Sequence, residues 1–63
     1  MIIYVKVGTH SATKMEVARK RKLPVVGDIF DLREPGERWS AFTVRCCEIK
    51  DVYGEKLYFV ERW

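Results

Sequence analysis

Sixty-three residues, 48% hydrophobic and 33% charged, exclude a disordered chain and leave room for one small domain, close to the lower size limit for a core without disulfide or metal staples. A net charge of +3 permits contact with nucleic acid, an acidic protein or an anionic surface without demanding any of them. The opening Ile2-Ile3-Tyr4-Val5-Lys6-Val7 run is too short for a signal-peptide core or a membrane span, so a cytoplasmic protein is expected.

In chain order, Ile3, Val5 and Val7 alternate with Tyr4 and Lys6, the period of a strand with one buried face, and Gly8 ends it. Residues 9–23 allow two readings. Thr13 as N-cap with Glu16 three positions on resembles a capping box, and Met15, Ala18 and Arg19 are good helix formers. The apolar positions make no helical stripe, however. A strand puts Met15, Val17, Arg19, Arg21 and Leu23 on one face, with Arg stems along the core edge, and this is the reading preferred. Thr13–Ala18 also resembles the first helix of a helix-turn-helix unit. Val25-Val26-Gly27-Asp28 follows Pro24 where a recognition helix would start, so no family assignment follows.

Pro24 to Asp28 turns the chain into a strand over Asp28 to Arg33, with Phe30 and Leu32 inward. Glu34-Pro35-Gly36-Glu37 has proline and glycine where a type II turn needs them. A long strand from Trp39 to Lys50 points Phe42, Val44 and Cys46 inward. Ile49 is then out of phase, which a bulge near Cys47-Glu48 would repair. Tyr53-Gly54 places a glycine in a hairpin loop, and the last strand covers Lys56 to Arg62. Either Leu57 with Phe59 or Tyr58 with Val60 can be its buried pair. The expected fold is therefore all-β, one domain over residues 1–63 forming a five-stranded SH3-like barrel. The alternative is β-α-β-β-β with a short helix near 13–22.

Chemistry is sparsely represented. Cys46 and Cys47 are neighbours that point to opposite faces of a strand, so both are expected as free thiols. The single His10 could form a dyad with either cysteine, although a loop histidine in solvent explains it as well. Paired metal-ligand spacings and a glycine-rich phosphate loop are missing from the sequence. The expectation is a protein that is not an enzyme and uses no cofactor and no metal.

Arg19-Lys20-Arg21-Lys22, with Lys14 upstream, is a candidate phosphate-contacting patch, and Lys6 and Tyr4 would extend it. Aromatic rings interleaved with cations stack and neutralise single-stranded nucleic acid. The leading expectation is accordingly a binding module for nucleic acid. The rival is a protein-interaction module of phage or mobile-element type, an accessory or inhibitor docking on a larger host machine through Tyr58 and Trp63. A homodimer through an edge strand and the C-terminal residues is also expected, because so small a barrel gains apolar burial by self-association.

Overall fold

The computed structural model describes residues 1–38 and 41–63. Five strands follow one another as β1 (Ile2–Val7), β2 (Thr13–Ala18), β3 (Ile29–Arg33), β4 (Phe42–Val52) and β5 (Glu55–Arg62). Each pairs with the next in antiparallel fashion, and β1 closes the ring by running parallel to β5. This is the expected all-β, five-stranded small barrel. The helix alternative over 13–22 is not what the chain adopts.

Alternation decides the core. Ile3 and Val5 from β1, Met15 and Val17 from β2, Phe30 and Leu32 from β3, Val44 and Cys46 from β4, and Tyr58 and Val60 from β5 form one buried cluster. Every strand thus contributes two side chains spaced by two residues, the period of a pleated strand. Tyr58 and Val60 are therefore the buried pair of β5, which turns Leu57 and Phe59 outward. Ile49 packs against the same cluster because the register shifts by one residue between Cys46 and Glu48. The expected bulge is present, and it restores the phase that simple alternation loses.

Local backbone chemistry sets the corners. Gly36 has φ +85°, and the Glu37 amide donates to the Glu34 carbonyl at 3.0 Å, closing the turn that Pro35 prepares. At the β4–β5 hairpin both loop residues are left-handed, Tyr53 at φ +53° and Gly54 at φ +84°. That pair of angles defines a type I′ turn, whose twist matches its strands.

The second strand departs from expectation at its end. It stops at Ala18 because Arg19 takes a left-handed backbone, φ +58°, so Arg19, Arg21 and Leu23 do not continue the inward row. The basic run lies instead on the loop that joins β2 to β3. Trp39, expected as the start of β4, lies outside the described residues.

Candidate functional site

The β-meander gives the barrel two ends. One carries the β2–β3 loop and the β4–β5 hairpin tip, and the other carries the β1–β2 and β3–β4 loops with the C-terminus. The outer wall falls into two faces of different chemistry. Across β2, β3 and β4 the outward polar groups are matched in pairs at register positions. Arg33 Nε donates to Glu16 Oε1 at 3.3 Å, and the Thr43 hydroxyl donates to Asp31 Oδ1 at 2.8 Å. Arg45 faces Glu61 at 3.7 Å on the adjoining β4–β5 pair. That wall satisfies itself.

The face over β2, β1, β5 and β4 differs. One register row reads Lys14, Tyr4, Leu57, Lys50 across the four strands, and the next carries Lys6, Phe59 and Glu48. Tyr4 and Phe59 thus stand on neighbouring strands two residues out of step, the diagonal relation that separates Cα atoms by about 7–8 Å. Each ring has an ammonium against it, Lys14 Nζ at 5.7 Å from the Tyr4 centroid and Lys50 Nζ at 5.4 Å from that of Phe59. Both distances lie within the reach of a cation–π contact. Among the described residues, Lys6, Lys14 and Lys56 have no carboxylate within ion-pair distance, and Lys50 has Glu48 at 3.9 Å.

The hairpin tip extends this face. Tyr53 is fully exposed, and a groove beside it runs past Val52 and Lys56 to Leu57 and Tyr4. A second, larger open groove of ≈ 510 Å³ links Tyr4, Lys14 and Lys56 to Leu23 of the β2–β3 loop. The aromatic face and the basic loop are therefore neighbours on one side of the barrel end.

Within that loop the four cations are not equivalent. Lys20 Nζ is 3.1 Å from Asp28 Oδ2 and belongs to a structural clamp. The same oxygen accepts the Val25 amide at 3.0 Å. That bond first, and Lys20 second, holds the Asp28 carboxyl below its ordinary range. Arg19, Arg21 and Lys22 are exposed and free of carboxylates among the described residues.

The expected binding residues therefore divide. Tyr4, Lys6 and Lys14 share the aromatic face, and Arg19, Arg21 and Lys22 sit on the adjacent loop. Tyr58 is a correction: only 1% of it is exposed, so it cannot form a contact surface. Its hydroxyl is buried with no hydrogen-bond partner among the described residues. Trp63 is 70% exposed, its amide bonded to the Thr43 carbonyl, and so it does not plug its own barrel.

Phe59, Lys50, Lys56 and Tyr53 are site residues that sequence reasoning missed. Phe59 and Lys50 join the face only through the β4–β5 register and the closing β1–β5 pair, which are long-range facts. Tyr53 carries a local signal, a bulky aromatic beside glycine in a two-residue hairpin loop.

His10 is exposed and lines a groove at the other end of the barrel with Glu34, Phe42 and Arg62, a groove neither cysteine reaches. Cys46 is buried and Cys47 exposed, both as free thiols. No group of three His, Cys, Asp or Glu side chains placed to hold a metal occurs among the described residues. No helix among them is long and apolar enough to cross a membrane. No family model, curated protein or solved structure matches the chain.

Proposed function

We propose that this protein is a non-enzymatic module that binds single-stranded nucleic acid on the β2–β1–β5–β4 face. The observation that carries the reading is the Tyr4–Phe59 pair, two outward rings on adjacent strands, each attended by a lysine. An exposed base has an aromatic face that stacks on such rings, and a phosphate beside it gives Lys14 and Lys50 a stronger partner than a ring quadrupole. The diagonal spacing of the rings suits successive unstacked bases, which a duplex does not present. Arg19, Arg21 and Lys22 supply further cations where a strand would leave the face past Leu23. Their exposure and lack of carboxylate partners among the described residues support that role.

Fluorescence anisotropy of labelled thymidine and uridine oligonucleotides, read against salt, tests the proposal. Four phosphate contacts, through Lys6, Lys14, Lys50 and Lys56, predict a log–log salt slope of roughly −3 for an oligonucleotide that spans the face alone, from about −0.7 per contact. A strand long enough to reach Arg19, Arg21 and Lys22 should show a steeper slope. No binding at low salt would remove the reading. A stoichiometric protein partner that survives nuclease treatment and protects Tyr4 and Phe59 would replace it.

A further inference from the structure

One strand edge has no partner among the described residues. The β3 ladder on β4 covers Ile29 to Leu32 against Phe42 to Arg45. The loop then carries it one residue further, the Gly27 amide donating to the Cys46 carbonyl and the Cys46 amide to that of Asp28, both at 2.8 Å. From Cys47 to Val52 nothing among the described residues bonds to that side of β4, while β5 holds the other side to the turn. An exposed edge of this kind is a template for another strand.

We propose that the occupant is a second copy of this chain, pairing β4 with β4 in antiparallel fashion about a two-fold axis at Ile49. Backbone geometry and charge together select that centre. A two-residue hairpin loop closes on a hydrogen-bonded pair, here Val52 with Glu55, and the direction of backbone groups alternates along a strand. Val52, Lys50 and Glu48 therefore turn their amides and carbonyls toward β5, and Ile49 and Asp51 turn theirs to the free edge. A two-fold antiparallel contact sets one residue opposite its own copy, as a hydrogen-bonded pair at Ile49 or Asp51 and as a non-hydrogen-bonded pair at Glu48 or Lys50.

Charge makes the choice among these four. Centred on Glu48, Lys50 or Asp51, the pairing would set two like charges directly opposite each other. Centred on Ile49, it sets Glu48 against the partner's Lys50 and Lys50 against the partner's Glu48, on one face of the joined sheet. Like charges opposed across strands destabilise, and opposite charges stabilise. The sequence Glu48-Ile49-Lys50 is thus self-complementary in one register only. In that register the pairing is confined to the free stretch of β4 and stops short of Cys46, whose edge Gly27 and Asp28 already hold. Residues opposed across strands share a face, so the aromatic–lysine walls of the two copies become continuous. The contact uses β4 alone and leaves Trp63 at the far end of the barrel. It does not depend on what that wall binds.

Sedimentation of the wild type, Lys50→Glu and Glu48→Lys across the micromolar range tests the inference, with circular dichroism confirming each fold. The wild type should dimerise. Each charge reversal should weaken self-association by roughly tenfold or more, because the two-fold axis counts every pair twice. An equimolar mixture of the two variants should restore the dimer, since the two acidic side chains of one variant then face the two basic side chains of the other. Amide exchange on the wild type gives a second readout that needs no variant: protection at Ile49 and Asp51 should rise with protein concentration. A wild type that stays monomeric throughout, a Lys50→Glu protein that dimerises as tightly as the wild type, or folded variants that fail to pair on mixing would each overturn the proposal.

Discussion

Lys20 and Asp28 close the β2–β3 loop on itself, their charged atoms 3.1 Å apart, with the Val25 amide on the same carboxylate oxygen. The clamp withdraws one cation from the basic run and orders the segment that carries the others. Asp28→Ala should speed amide exchange in the loop and release Lys20 to phosphate. The salt slope of oligonucleotide binding should then steepen by about 0.7, one contact's worth on a single strand. Acid has a related effect. The Asp28 carboxyl is held below its ordinary value of 3.8, so its stabilisation is complete above that value and fades as pH falls through the lower folded one. The wild type should lose loop protection in that acid window, and Asp28→Ala should show no such transition. An unchanged slope and unchanged exchange in the variant would contradict the clamp.

Tyr53 holds a left-handed backbone that asparagine adopts more readily. Tyr53→Asn should stabilise the fold by about 1 kcal/mol, the cost of that conformation for a bulky side chain. It should also weaken oligonucleotide binding, because an exposed ring leaves the groove. Urea unfolding and anisotropy on the same sample separate the two effects. A variant both more stable and unimpaired in binding would remove Tyr53 from the site.

The buried Tyr58 hydroxyl, without a partner among the described residues, makes Tyr58→Phe an informative change. Burying an unpaired hydroxyl costs about 1–3 kcal/mol, so its removal should leave stability unchanged or raise it. A loss of more than about 1 kcal/mol in chemical denaturation would mean that the hydroxyl is satisfied, by ordered water for example.

Alkaline stability follows from the same interior. Burial pushes the Cys46 thiol above its ordinary 9.0, with Cys47 adding to it. Burial likewise lifts the Tyr58 phenol above 10.0, with Cys46 second. Both groups are neutral in the fold and ionise more easily in the unfolded chain. Stability is therefore full below the ordinary values and lost as pH rises from them through the folded ones. Denaturant midpoints should fall above pH 9.0 in the wild type, and Cys46→Val should flatten the first part of that fall. A midpoint independent of pH through that range would contradict the burial of both groups.

What the sequence makes legible is largely local. Pro35-Gly36 and Tyr53-Gly54 declare their turns because they specify φ. The bulge near Cys47 shows itself because Ile49 breaks an otherwise regular alternation. Arg19 marks the limit: no side-chain preference announces a left-handed arginine, so alternation alone carries β2 on to Leu23. The Tyr58–Phe59 ambiguity has a different origin. Both faces of β5 are apolar, and the inward one is chosen by the parallel pairing of β1 with β5 across the whole chain. The aromatic face depends on that choice. Tyr4, Lys6 and Lys14 can be read as outward from sequence, whereas Phe59 and Lys50 cannot be brought to them.

The central claim is that Tyr4 and Phe59 stack bases, and the most direct measurement compares Tyr4→Ala and Phe59→Ala with the wild type on a single-stranded oligonucleotide and on its duplex. Stacking on one ring is worth about 1–3 kcal/mol, so each substitution should weaken single-strand binding by roughly five- to a hundredfold. The salt slope should stay where it was, because no cation is removed. Duplex binding, which relies on charge alone, should be weaker at the start and nearly unaffected by either change. If both variants bind the single strand as tightly as the wild type, or if duplex and single strand bind alike, the aromatic face is not a stacking surface.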